Sequence, residues 1–271
     1  METAAIVAGE TVLLQRERER EREREKSWKA KLAAAYYDSQ FHPGILGVVC
    51  NPFWLCRRAL YKAMRVLGPR LEGHVLDFGC GTGPYRDLLT NTCAYSGLEF
   101  DSPQNRQCKK ADIFYDGTHI PLEDASVDSI LSTQTLEHVP NPERIVEEWA
   151  RVLRPEGQLL LTVPFMWPEH EMPHDFQRYT TNGMRLLLEK TGFAIVHQER
   201  LLCDCRAAAQ LFQAWLYDVL RLGARGKIVQ IALTTLFFAP ISLAATALAA
   251  LAPQNPNSYL DNVILARRIA P

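Results

Sequence analysis

The chain lacks a net charge: 30 Lys and Arg stand against 31 Asp and Glu, leaving −1 at pH 7 and a pI near 6.7. Phosphate contacts need a basic surface, so this balance argues against RNA or DNA as partner or substrate. It also lacks a disulfide framework. Seven cysteines, an odd number at no ordered spacing, read as the reduced thiols of a cytosolic protein. Cys203-x-Cys205 is too close a pair for the usual zinc spacing, and no second pair follows it. Met1 to Gln15 has no basic start, apolar centre or small-residue cleavage site, so export is not expected and the cytoplasm is.

What is present suffices for a full core. With 271 residues, 47% of them apolar and 23% charged, the chain can bury three layers of structure. Its most informative run is His74-Val75-Leu76-Asp77-Phe78-Gly79-Cys80-Gly81-Thr82-Gly83. An apolar run of this length suits a parallel strand buried on both faces, and glycine at every second position afterwards lets the backbone turn sharply beside a ligand. The next strand, Ala94 to Phe100, carries Glu99 about 20 residues beyond Asp77, the separation at which a doubly wound fold offers a carboxylate to a ribose. Asp101 is the alternative acid. Further on, Arg86 to Asn91 reads as a short helix, Ser126 to Ser132 as a strand, Pro142 to Leu153 as a helix and Gln158 to Val163 as a strand. Gly183 to Lys190 then reads as a helix closed by Gly192, and Phe193 to Gln198 as a strand. Such alternation predicts a mainly parallel sheet.

From Gly73 to Arg200 these motifs resemble the class I S-adenosylmethionine-dependent methyltransferases. Asp77-x-Gly79-x-Gly81-x-Gly83 is similar to that family's cofactor loop and Gly97-Leu98-Glu99 to its ribose-binding strand end. Lys110-Ala111-Asp112-Ile113 is similar to the segment that places an acid near the adenine, and Asp124 to Leu131 to the fourth strand. Leu136-Glu137-His138-Val139 resembles the turn after that strand, and Arg151 to Gly157 the helix end before the fifth, except that Glu156 replaces a glycine. Pro84-Tyr85-Arg86, the Ala111 to Gly117 segment and the Pro-His-Asp-x-x-Arg-Tyr loop extend the likeness to a bacterial-type subgroup similar to the type 11 methyltransferases. The resemblance implies a Rossmann-like, doubly wound, mainly parallel seven-stranded sheet. It implies S-adenosyl-L-methionine as cofactor, held by Asp77, Gly79, Cys80, Gly81, Gly83, Glu99, Phe100, Asp112, Ile113 and Gln134.

The stretch from Pro164 to Tyr179 leaves the carboxyl end of the fifth strand and gathers two His, an Arg, a Tyr and several acids beside the expected crevice. Three readings stand open. In the leading one His174 or His170, helped by Asp175 or Glu171, is the general base that takes a proton from a hydroxyl acceptor. In another, His170, His174 and an acid hold a metal, although Pro173 interrupts the spacing that would bring those two imidazoles together, so no metal is expected. In the third the cluster is structural, with Arg178 paired to Asp175. His138 either acts on substrate or anchors its turn by hydrogen bonds.

The ends of the chain carry the remaining features. Residues 1–35 form a charged extension in which Arg16 to Lys26 alternates Arg and Glu, read as a solvated helix. Residues 36–202 are expected to be the cofactor domain with its cap helices, of which Phe53 to Leu67 has an apolar face and Tyr36, Tyr37, Phe41 and His42 face the ligand. Residues 203–257 are an apolar insertion, and 258–271 a last strand that returns antiparallel to the sheet. Ile228 to Ala252 has no charge and is long enough to cross a bilayer, but a single crossing would separate two strands of one sheet. Two readings stay open: a hairpin broken near Pro240 that dips into the cytoplasmic leaflet, with Arg221, Arg225 and Lys227 beside it, and helices that pack on the protein itself or on a second subunit. The function expected is methyl transfer to a hydroxyl of a small-molecule, glycan or lipid-linked acceptor. The alternatives are a non-catalytic membrane scaffold with a vestigial pocket and an NAD-dependent oxidoreductase.

Overall fold

The computed structural model describes Trp28, Lys31 and residues 33–269 apart from Lys109, so the Arg16 to Lys26 segment lies outside the described residues. After a first helix α1 (33–41) and α2 (Trp54–Leu67), the chain enters β1 (Glu72–Phe78). Then come β2 (Asn91–Phe100), α3 (Pro103–Cys108), β3 (Ile113–Tyr115), β4 (Val127–Thr133), α4 (Pro142–Val152), β5 (Leu153–Pro164), α5 (Thr181–Lys190) and β6 (Phe193–Leu201). Two helices, α6 (Cys205–Val219) and α7 (Lys227–Ala249), precede β7 (Asp261–Arg268). The sheet order is β3-β2-β1-β4-β5-β7-β6, with β7 antiparallel to both neighbours and the other pairs parallel.

Both faces of this sheet are covered, so successive residues of one strand enter different cores. Leu76, Phe78, Ile130, Leu159, Leu161 and Ile264 pack on one face with Ile145, Trp149 and Val152 of α4 and Met184 and Leu188 of α5. Val75, Leu131, Leu160, Val263 and Leu265 pack on the other with Leu60, Ala63, Met64 and Leu67 of α2. Each such side chain removed from water contributes roughly 1.5–3 kcal/mol before entropy is counted. Helix starts are specified locally: Pro142 follows Asn141, whose side chain accepts the Arg144 N–H, and the Thr180 hydroxyl accepts the Gly183 N–H. Gly192, at φ +90°, closes α5 in the left-handed conformation expected of it.

Four sequence expectations are corrected. Between Arg86 and Asn91 the chain makes only one 3-10 turn (Arg86–Leu88), because Asn91 already pairs with Glu72 as the start of β2. β5 begins at Leu153, directly after α4, and Glu156 within it sits at φ +67°, in the left-handed region that favours glycine. The Glu156 carboxylate pairs with Arg267 Nη1 at 2.8 Å.

The third and fourth concern the insertion. It does not break at Pro240: α7 runs unbroken for 23 residues. A π turn at Thr234–Phe238, in which the Ala239 N–H reaches Thr234 O five residues back, widens the helix just before the proline. Proline cannot donate to the carbonyl four residues before it and crowds that carbonyl, and the wider turn relieves both problems. The hairpin is instead made by α6 and α7, and it turns between them where Arg221 takes φ +49°. Gln213 Nε2 donates to Phe238 O and Ser242 Oγ across the two arms, and Cys205 Sγ to Ala245 O nearer the ends. The insertion packs with Trp54 and Leu55 of α2 in one apolar cluster. It leaves at Leu201 and returns at Asp261, which are paired neighbours at one end of the sheet.

Gly157 marks how tightly β5 approaches its surroundings: a Cβ there would lie 2.7 Å from Leu153 Cγ, 2.8 Å from Asp128 O and 2.9 Å from Arg154 O. Gly157→Ala is expected to cost roughly 1–3 kcal/mol of stability, seen as a lower urea midpoint at unchanged slope.

Candidate functional site

The carboxyl ends of β1, β2, β4 and β5 open on one side of the sheet, where the strand order reverses between β1 and β4. Gly79, Gly81 and Gly83 follow β1 with φ of +72°, +58° and +70°, values that a side chain disfavours. The Gly79 and Cys80 N–H groups both donate to Leu98 O, at 2.9 and 3.2 Å, which folds the turn back onto β2. Gly97 makes that approach possible, since a Cβ there would lie 2.8 Å from Cys80 Sγ. The Gly81 N–H donates to Glu99 Oε1 at 2.6 Å, and Asn105 Nδ2 to Glu99 Oε2 at 3.4 Å. Phe100, next to Glu99, is half exposed at the strand end.

Asp77 lies beneath this turn. Its Oδ2 accepts the Tyr95 hydroxyl at 2.7 Å, while buried Oδ1 has no hydrogen-bond partner. Burial pushes its carboxyl up to about 7; the Tyr95 hydrogen bond opposes the rise and the Glu99 charge adds to it.

Asp112 is placed differently from its expected role. It precedes β3, its Oδ2 accepts the Gly97 N–H and its own N–H donates to Gly97 O, both at 2.8 Å, so it ties β3 to β2 with Ile113 beginning the strand. The acid at the carboxyl end of β3 is Asp116, whose Oδ1 accepts from Thr118 N, Thr118 Oγ1 and His119 N. Those donors hold Asp116 down at about 2. The sequence signal was an acid following the strand rather than preceding it.

A cavity of about 540 Å³ lies against the glycine turn. Gly79, Cys80, Gly81 and Gln134 form its floor, the last at φ +52° with its N–H on Thr162 O. Tyr37, Phe41, Phe53 and Arg57 close one side, with the Arg57 guanidinium 4.9 Å from the Phe41 ring centre. Tyr36 and His42 do not line it: the Tyr36 hydroxyl bonds Gln230 on α7, and His42 Nε2 bonds Pro84 O. Asp261, the first residue of β7, also reaches the wall, and burial pushes it up to about 7 against the Arg57 charge and a hydrogen bond from Gln134. No sequence motif marks Arg57 or Asp261; they meet only because α2 and β7 cross at this edge.

The Pro164 to Tyr179 segment forms the remaining wall and overturns the pairing of His174 with Asp175. The Asp175 side chain is shielded from solvent and grips Arg178 twice, Oδ1 with Nη1 at 2.5 Å and Oδ2 with Nη2 at 2.6 Å. That guanidinium holds its carboxyl down at about 2. Asp175 Oδ2 also accepts the His170 N–H at 2.8 Å, so its contacts match the structural reading of the cluster. His174 does not line the cavity; its carbonyl accepts His138 Nδ1 at 2.8 Å and its ring lies against Phe176. The reason is the anchoring of Phe176 N on Glu137 O, which draws the main chain, and not the His174 ring, toward the turn after β4.

The imidazoles that do line the cavity are His170 and His138, with ring centres 4.8 Å apart. Burial, followed by the neighbouring His138, lowers the His170 pKa. Glu137 lies beside them, fully buried, and burial pushes it up to about 8. The sequence expectation names His138 and passes over Glu137, although an acid beside a histidine at a strand end is an available signal.

Comparison with known proteins agrees with this architecture. Residues 76–161 match a family model described as "Methyltransferase domain". A "Probable S-adenosylmethionine-dependent methyltransferase" of Mycolicibacterium smegmatis is 30% identical over 164 residues, 56% of this chain and 63% of that protein. "Probable tRNA methyltransferase 9B" of Mus musculus is 28% identical over 52% of this chain and 29% of its own length, so the chain spans less than two thirds of either relative. Among solved structures, an S-adenosylmethionine-dependent methyltransferase from Mesorhizobium loti superposes with a TM-score of 0.50 at 17% identity, over 79% of this chain and all of that one. The [4+2]-cyclase SpnF does so at 0.50 and 18%, over 78% and 82%. At these identities the solved structures share the fold alone.

Asp77 makes the site pH-sensitive. The unfolded chain ionises it near 3.8, the folded chain only near 7, so its effect on stability is absent below pH 4, grows unfavourable from there to about pH 7, and is constant above. Asp77→Asn is therefore expected to match the wild type in urea denaturation at pH 4 and to exceed it at pH 8 by roughly one to a few kcal/mol, since each tenfold change in proton affinity is worth about 1.4 kcal/mol.

Proposed function

Given that residues 76–161 form a class I S-adenosylmethionine-dependent methyltransferase domain, we propose that the chain transfers the methyl group of that cofactor to a hydroxyl of an amphiphilic acceptor. The observation that carries the first half is the glycine turn at the carboxyl end of β1, with open backbone geometry at Gly79, Gly81 and Gly83 and the Glu99 carboxylate directly above it. In this reading Glu99 receives the ribose hydroxyls, Gly79 to Gly81 and Gln134 border the methionine part, and Asp116 rather than Asp112 is the acid nearest the adenine.

The sulfonium is already an activated donor, so the protein's main task is alignment of acceptor oxygen, methyl carbon and sulfur. An alcohol is a poor nucleophile until its proton leaves, and His138 and His170 are the imidazoles at hand to assist. The amphiphilic character of the acceptor is supported by the insertion. On α7, Ile228, Leu236, Phe237, Leu243 and Leu248 are exposed, as are Phe212, Trp215 and Val219 on α6. The same α6 turns Ala214, Tyr217 and Asp218 to the cavity, so one helix joins the apolar surface to the site. With Arg221, Arg225 and Lys227 at one end, the pair suits the anionic face of a membrane, lying on it rather than crossing it.

Calorimetry with S-adenosylhomocysteine, and NAD as control, tests the cofactor. We expect micromolar binding of the first, none of the second, and a loss of roughly 1.5–3 kcal/mol in Glu99→Gln, or about 10- to 100-fold, as for a hydrogen bond to a charged group. Flotation with vesicles of phosphatidylglycerol and phosphatidylcholine tests the surface. The wild type is expected to float, and a Leu236→Glu, Phe237→Glu double variant to stay with the soluble fraction; equal flotation of the two would rule out α7 as the contact.

A further inference from the structure

We propose that Glu137, His138 and His170 form a binding site for a divalent transition-metal ion, Zn²⁺ by its donor set, where the two imidazoles line the cavity and Glu137 is buried beside them. One ligand atom from each of the three lies within 4.8 Å of the others. Two imidazoles and a carboxylate are a familiar catalytic zinc set, which leaves a position open to a water or substrate oxygen.

The surroundings are those of a built site. Glu137 is fully buried, yet neither carboxylate oxygen has a hydrogen-bond partner; His138 Nε2 stands 3.8 Å from Oε1. A buried carboxylate without donors is costly, and a cation supplies what it lacks. Each imidazole, moreover, has its other nitrogen engaged. His138 Nδ1 meets His174 O at 2.8 Å, and His170 Nδ1 meets Asp175 Oδ2 at 3.2 Å and Pro168 O at 3.3 Å. In both rings this leaves Nε2 for the ion, and carbonyl or carboxylate partners of this kind orient metal-bound histidines. Asp175 is in turn held by Arg178, so the residues that failed to form a catalytic pair acquire a role as supports. Pro173 separates His170 from His174 in the sequence, but the fold sets His138, from another strand end, beside His170 instead.

The consequence for chemistry rests on the methyltransferase reading. With both imidazoles committed to it, the ion would be the means by which His138 and His170 assist, lowering the pKa of an acceptor hydroxyl that reaches its open position. The hydroxyl oxygen forms the bond to the methyl carbon, the carbon–sulfur bond breaks with its electron pair remaining on sulfur, and the hydroxyl proton passes to solvent water. The sulfonium becomes a neutral thioether, and the ion undergoes no redox change.

The test uses the full chain dialysed against EDTA and titrated with Co²⁺, followed by visible absorption, and with Zn²⁺ by calorimetry. About one Co²⁺ per chain with a low-symmetry d–d band is expected. Glu137→Gln, His138→Gln and His170→Gln should each weaken uptake at least about 10-fold while circular dichroism and S-adenosylhomocysteine binding stay as in the wild type. Wild-type protein that is folded and binds S-adenosylhomocysteine but takes up neither metal overturns the proposal, as does uptake that all three variants retain. Metal uptake without S-adenosylhomocysteine binding upholds the site and overturns the methyltransferase reading instead.

Discussion

The two hydrogen bonds from Gly79 and Cys80 to the single carbonyl of Leu98 hold the site together. They close the turn after β1 against β2, and they exist only because Gly97 leaves room for Cys80 and because Gly79 accepts φ +72°. With the turn closed, the Gly81 N–H is brought to Glu99 and Asp77 is sealed beneath it. Burying Asp77 next to Glu99 costs stability near neutral pH, a cost that a folded core of two apolar layers can absorb.

The wall opposite the turn depends on different bonds. The loop after β5 is anchored to the turn after β4 through Phe176 N on Glu137 O and His138 Nδ1 on His174 O, and it is stiffened internally by Asp175 and Arg178. These main-chain anchors decide which imidazoles face the cavity. Side chains close in sequence, His174 and Asp175, serve separate ends of the loop, whereas His138 and His170, 32 residues apart in number, share one corner. The apolar insertion obeys a constraint of the same kind, since Leu201 and Asp261 are paired and any path between them must return to its starting point. Two antiparallel helices satisfy that requirement and leave one apolar side uncovered.

Much of this was legible in the residues. The apolar runs and caps identified β1, β4, α4 and α5, and the glycine spacing located the sharp turn after β1, because these depend on local backbone freedom and on a periodicity that survives in any context. The antiparallel return of the last strand followed from the resemblance. Less legible were features with no local signature. A π turn hides Pro240 inside an unbroken helix, and a strand of only three residues leaves Asp112 and Asp116 indistinguishable until its ends are known.

What the sequence by itself determined was therefore the layered α/β fold and the position of the glycine turn, both products of short-range sterics and burial pattern. Tertiary structure alone decided which side chains gather at the cavity: that Asp175 is consumed by Arg178, that His174 offers its carbonyl and not its ring, that Glu137 is buried beside His138 and that Asp261 is buried in the wall. The physical reason is that hydrogen-bond partners and desolvation belong to places in space, and residues far apart in the chain reach those places only when the sheet brings its strand ends together.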